Sequence, residues 1–406
     1  MRRQAMSKPV RTQTNRADLS NQAPRLLLAA AVIAAIVYGS LYPFHIRSSG
    51  TLAQDFLHLA STWNQPPQSR GDLLANLLLY APLGLALSLV LGDHRSRISA
   101  SVLTVLAGTL LSVMVELAQF YDVGRFSALS DVYLNAAGTL IGVVFAWTAG
   151  FGPARQWWPS GSMPGFARLL LLTWLGWRLY PYVPTINLLK YWHSIKPLLF
   201  APQPPPLEIF RFGVFWLSFF FLLQTGFQPK KAFWLFLPVT LLYFAAQILI
   251  IGQTLSLAEI LGAFAALVLC PLVMPRYGRF GIPAVAGLLM TIVIMSRVLP
   301  WQLAAKVKAF QWIPFFGFLH GSLQFDVIAF SQKFYLYGAL LLLLLRVGMG
   351  LKSAVALLCA VLLATSLMQM FLVDRSAEIT DTVLALSVGL IYALMARLSS
   401  GPARSS

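Results

Sequence analysis

The chain has 406 residues, of which 58% are hydrophobic and only 11% charged, whereas an ordinary soluble domain carries about 25% charged residues. With a mean hydropathy of +0.72, this composition excludes a large soluble catalytic domain and points to an all-α, polytopic integral membrane protein. The net charge of +17 is not the footprint of a nucleic-acid partner, because the cations are spread along the whole sequence rather than gathered on one water-facing module. The two cysteines, Cys270 and Cys359, lie inside apolar runs, which leaves neither a disulfide framework nor a cysteine-based metal site.

In chain order, a basic leader (1–25) precedes a first apolar segment at 26–43. Further apolar segments follow at 73–91, 98–120, 131–149, 166–182, 209–227, 232–251, 257–274, 283–299, 327–345, 353–372 and 382–396, so about twelve transmembrane helices are predicted. Twelve crossings alternate the connections between two sides. One side collects eighteen of the thirty cations and only Asp18 and Asp93 of the thirteen acids, a net of +16 against +1 opposite. The positive-inside rule makes that side cytoplasmic, with the leader and the tail (401–406) both inside. The basic total then records orientation and contact with anionic membrane lipids. The other eleven acids fall at or near the outer face, where polar chemistry is expected.

Three neighbouring segments each offer a polar face at that outer end. Asp72 and Asn76, four apart, share one helical face; so do Glu116 and Gln119; Asp131, Asn135 and Gly138 form a stripe on the next segment, after Arg125 in the turn. A carboxylate one turn inside a membrane helix is costly and needs a partner, and Arg125 is the expected one for Glu116. Amides and glycines such as Gln119, Asn135, Gly138 and Gly142 also serve plain helix packing. The group Glu116, Arg125 and Asp131 is read as functional, since an ion pair is otherwise an expensive way to join helices.

These residues spell D-x3-N-x5-P-x-G (Asp72, Asn76, Pro82, Gly84), then E-x2-Q (Glu116, Gln119), then R-x5-D-x3-N-x2-G (Arg125 to Gly138). Over 40–150 the sequence resembles the VanZ-like family, whose name comes from association with teicoplanin resistance. The resemblance implies a multi-pass protein of the bacterial cytoplasmic (inner) membrane with an envelope role, and no agreed molecular activity.

Self-similarity extends the pattern. Gln119, Arg125 and Asp131 recur with identical spacing as Gln369, Arg375 and Asp381, with Asp326 standing to Gly338 as Asp72 does to Gly84; Gln247, Gln253 and Glu259 form a weaker copy. Three parallel four-helix units are therefore expected: a VanZ-like unit (26–150), a degenerate second unit (151–280) and a third VanZ-like unit (281–400). Only the first keeps Glu116 and Asn135, so it is expected to hold the working site. Lys333 is expected to snorkel or to pair with Asp326, and Arg178 and Arg297 to do likewise or to receive an anionic headgroup.

No nucleotide or nucleophile motif is present, and the spacing of the histidines suggests no metal site, so neither cofactor nor metal is expected. The reading favours non-catalytic recognition or translocation of a lipid or lipid-linked glycan headgroup. The ligand-facing residues would be Asp72, Asn76, Glu116, Gln119, Arg125, Asp131 and Asn135. A membrane enzyme acting on envelope lipid or glycan and an assembly scaffold for envelope polysaccharide machinery are the alternatives.

Overall fold

The computed structural model describes residues 11–42, 44, 51–65, 70–92, 96–122, 127–148, 165–200, 204–273, 278–317, 323–373 and 375–399. Among these the chain is helical, with isolated β-bridges and no β-strand. It forms two compact units, residues 1–159 with 397–406, and residues 160–396. The protein is thus an all-α polytopic membrane protein. Among the described residues, seven helices are long and apolar enough to cross a bilayer, and four further apolar helices are shorter.

The first unit contains α1 (Arg11–Leu41), α2 (Leu52–Ser61), α3 (Arg70–Leu91), α4 (Arg97–Gln119) and α5 (Leu129–Thr148). Helix α1 begins well inside the segment expected as a polar leader. In lipid, apolar side chains gain little by leaving the solvent for a neighbouring helix, so helices associate where small residues let backbones approach. That is how α3 meets α5. A Cβ on Gly84 would run into the carbonyl of Thr139, one on Gly142 into that of Ala81, and one on Gly138 would lie 2.5 Å from the carbonyl oxygen of Leu77. The P-x-G and N-x2-G elements of the sequence motif are therefore the two sides of one backbone-to-backbone crossing. A small cluster of Ile36, Tyr80, Leu83 and Val115 fills the space between α1, α3 and α4.

The second unit contains α6 (Gly165–Leu179), α7 (Leu188–Phe200), α8 (Pro206–Leu223), α9 (Pro229–Leu249), α10 (Leu257–Val273), α11 (Gly278–Val298), α12 (Leu323–Val347), α13 (Leu351–Met368), a 3-10 turn (Gln369–Phe371) and α14 (Thr380–Ser399). One continuous core joins residues of α6 and α8 to residues of α12, α13 and α14, so the expected second and third units share an interior. Aromatic packing dominates its centre: the Trp174 ring lies 4.4 Å from Phe219, 5.0 Å from Trp216 and 5.1 Å from Tyr243. Such offset and edge-on pairs each add about 0.5–1.5 kcal/mol beyond area burial.

Every predicted apolar segment overlaps a helix, but α2 and α7 have no counterpart in the prediction. Both are short and amphipathic, with Asp55 and His58 on the one and Lys190, His193 and Lys196 on the other interrupting the apolar run. The chain after the proline that ends α6 and the chain after the proline that ends α11 fold alike. The Thr185 N–H donates to the Leu249 carbonyl (2.9 Å) and the Ile251 N–H to the Val183 carbonyl (3.0 Å); at matching positions, Ala304 donates to Phe371 (2.8 Å) and Val373 to Gln302 (2.9 Å). Lys190 Nζ closes the last turn of α9 by donating to the carbonyls of Gln247 (2.8 Å) and Ile248 (2.6 Å), the usual service of a cation at a helix C-terminus. Burial there pulls its ammonium below the ordinary lysine range.

Candidate functional site

In the first unit the described polar residues gather where α4 ends and α5 begins. Glu116 is buried, 3% exposed, and its Oε2 accepts the backbone N–H of Ala128 at 3.2 Å. The Ser127 hydroxyl donates to the Glu116 carbonyl at 2.7 Å, and the Leu129 N–H donates to Thr62 Oγ1 at 2.9 Å, which ties the end of α2 to the start of α5. Asp131 is half-buried in the first turn of α5, where the positive end of the helix favours a carboxylate by about 0.3–1 kcal/mol. It is close enough for the two carboxylates to repel. One turn on, the Asn135 amide donates to Ser112 Oγ at 2.8 Å, while its Oδ1 has no hydrogen-bond partner. Gln119 donates to the carbonyl of Ser40 at 3.1 Å and so ties α4 to the end of α1.

Of the residues singled out in the sequence, Glu116, Asp131 and Asn135 lie where α4 ends and α5 begins. Asn76 is half-buried on α3. Arg125, the expected partner of Glu116, lies outside the described residues, as do the side chains of Asp72 and Asp326. Ser112 and Thr62 were not singled out in the sequence. The first stands four residues before Glu116 on the same face of α4, a spacing that marks it; the second has no sequence signal at all.

The second unit holds two buried ion pairs that repeat each other. Arg178, near the end of α6, pairs with Glu259 in the first turn of α10. Arg297, near the end of α11, pairs with Asp381 in the first turn of α14. Both arginines stand three residues before the proline that ends their helix, where the first unit has Ser40. That coincidence was available in the sequence and is the signal by which the pairs might have been matched to the acids.

Around Arg178 the setting is aromatic: the guanidinium lies 4.8 Å from the Trp177 ring centroid and 5.4 Å from those of Phe212 and Tyr243. Tyr243 donates to Glu259 at 2.9 Å, and the Gln253 amide donates to the Tyr180 carbonyl at 2.5 Å. A cavity of ≈ 320 Å³ opens here, lined by Trp177, Arg178, Tyr180, Gln247, Gln253 and Glu259 among others.

Around Arg297 the setting is polar. Its Nε donates to Thr365 Oγ1 at 2.7 Å and its Nη2 to Ser366 Oγ at 2.6 Å, while Gln369 Nε2 donates back to the Arg297 carbonyl at 2.9 Å. The last bond reproduces that of Gln119 to Ser40. Arg375 donates to the Leu299 carbonyl, as Gln253 does to the matching Tyr180. Lys333 Nζ lies 2.8 Å from Asp381 Oδ1, so this carboxylate bridges two cations. Lys333 therefore finds a carboxylate on α14, while its expected pairing with Asp326 falls on a side chain outside those described.

The clusters share one logic. A carboxylate on the opening turn of the last helix of each group, Asp131, Glu259 or Asp381, meets polar groups from the ends of its neighbours. Such an arrangement can hold hydrogen-bonding or charged ligand groups, or relay protons; it offers no recognisable nucleophile.

Residues 14–150 match the VanZ/LLP1 family. No curated protein and no solved structure matches the chain. The match covers the whole of the α3–α5 crossing and the Glu116 cluster, and the amino-terminal part of this multi-pass membrane protein is VanZ-like.

Proposed function

We propose that this is a protein of the bacterial cytoplasmic membrane, with both termini inside, whose outward-facing polar end recognises or translocates the polar head of a lipid or lipid-linked glycan. The observation that carries this reading is Glu116, a carboxylate buried within a helix apolar enough to cross the membrane, where an ionisable group is expensive and serves function by default. Asp131, Asn135 and Gln119 stand beside it as hydrogen-bonding walls. Arg125 supplies the cation that receives an anionic head or pairs with the carboxylates, and Asp72 and Asn76 extend the wall on α3. The recurring contacts after Pro181 and Pro300, and the repeated Gln-to-carbonyl bond, support a chain of three parallel four-helix units.

Mass spectrometry of the lipids that stay with purified wild type, Glu116→Gln and Arg125→Ala tests the site. The account expects one lipid class to be retained by wild type and lost from both variants, with membrane insertion unchanged. Identical lipid profiles in all three proteins would remove the headgroup reading.

A further inference from the structure

The cavity at Arg178 lies in the part of the chain expected to be degenerate, outside the family match. Its lining has an unusual remainder. Trp177 Nε1, Arg178 Nε and Gln247 Oε1 are all buried, and none has a hydrogen-bond partner, although Gln247 itself is only 3% exposed. Leaving a buried polar atom unpaired costs about 1–3 kcal/mol, so three at one cavity are costly unless something occupies it. Two of the three are donors and one is an acceptor.

That set selects a ligand chemistry. A phosphate or carboxylate only accepts; it would satisfy the two N–H groups but face the carboxylate of Glu259 and the bare oxygen of Gln247. An ammonium only donates and would face Arg178. The single cation and single anion of the lining already pair with each other. A hydroxyl both donates and accepts, and a ring bearing several hydroxyls offers acceptors for the two N–H groups and a donor for the amide oxygen. Trp177 and Tyr180 add the flat apolar walls that usually accompany a few placed polar groups. At ≈ 320 Å³ the cavity is at the small end of the range for ligand pockets, roughly 300–1,000 Å³.

We infer that the cavity between the ends of α6 and α9 and the start of α10 is a second binding site, specific for an uncharged, hydroxyl-rich head such as a glycosyl group. It does not depend on the Glu116 site, and its variants touch none of that site's residues.

The test is native mass spectrometry of the full chain in phosphatidylcholine nanodiscs, with a monoglucosyl diacylglycerol and a phosphatidylglycerol of the same acyl chains as probes. Methyl glucoside serves as a soluble competitor. Wild type should retain the glucolipid in preference to the anionic lipid, and excess methyl glucoside should displace it. Gln247→Leu should weaken retention, and so should Trp177→Phe, which keeps an aromatic ring but removes the N–H along with the five-membered part of the indole; each lost bond is worth roughly three- to tenfold. Arg125→Ala should leave it unchanged. Preference for the anionic lipid, retention that methyl glucoside cannot compete, undiminished wild-type retention by both cavity variants, or no adduct with either probe would each overturn the proposal.

Discussion

The VanZ-like unit and the 160–396 unit solve the same problem with charges in different places. Each puts a carboxylate on the first turn of a helix: Asp131 in the former, Glu259 and Asp381 in the latter. In the 160–396 unit the partner is an arginine three residues before a helix-ending proline, and the position of Glu116 is taken by Phe244 or Ser366. In the VanZ-like unit that arginine position is Ser40, and a second carboxylate, Glu116, is buried instead. A buried acid and base that satisfy each other inside the protein make an internal strut. Neighbouring carboxylates repel each other instead, and Glu116 is held by the Ala128 N–H. The comparison teaches that both units put carboxylates near helix ends but give them different neighbours.

The largest expected effect is at Asp381, which holds both Arg297 and Lys333. Asp381→Ala removes the carboxylate from the buried Arg297 and the partly exposed Lys333 and is expected to lower stability by about 3–5 kcal/mol, read as a fall in the unfolding midpoint of the detergent-solubilised protein. A wild-type midpoint would mean that the pair is no strut. For Arg178 and Glu259 the same logic gives a sharper contrast. Either single change to Met should cost about 3 kcal/mol, whereas the double change, which removes both charges, should recover most of that loss; additive losses in a double-mutant cycle would contradict the pairing.

Packing changes come next. Gly142→Leu drives a side chain into the Ala81 carbonyl and the Gly84 backbone, an overpacking cost of about 1–3 kcal/mol, whereas Gly39→Ala, with nothing within 4 Å of the added Cβ, should be silent in the same unfolding assay. The smallest effect is expected at the repeated amide. Gln119→Ala removes the bond to the Ser40 carbonyl, worth about 0.6 kcal/mol in a membrane interior, whereas Gln369→Ala removes the matching bond to the Arg297 carbonyl and a longer one accepted from the Arg297 guanidinium. The loss at Gln369 should be equal to or slightly larger than that at Gln119; a clearly larger loss at Gln119 would argue that the two positions do not correspond.

The apolar runs made the long helices legible, because hydropathy is dictated by the bilayer itself. Helices α2 and α7 were not, since their charged residues break the run at the length by which a crossing is recognised. Spacing placed Glu116 and Gln119 on one face and Asp131 and Asn135 on another, and the structure brings both faces to one end of the first unit. Spacing could not pair residues from separate helices: Lys333 on α12 meets Asp381 on α14, and Arg178 meets Glu259 across eighty intervening positions. The role of the glycines was half legible. Gly84 and Gly138 belong to the family motif and Gly142 follows one turn on, but only the folded structure shows that the three make one crossing.

The account rests on the carboxylate-bearing ends of these helices facing away from the cytosol. Single cysteines at Trp63, Thr254 and Ser376, each exposed, in a chain with Cys270→Ala and Cys359→Ala, can be probed with a membrane-impermeant maleimide. Labelling of all three in intact cells is the predicted result. Labelling that appears only after the cells are opened would place those ends inside and contradict an envelope headgroup as the ligand.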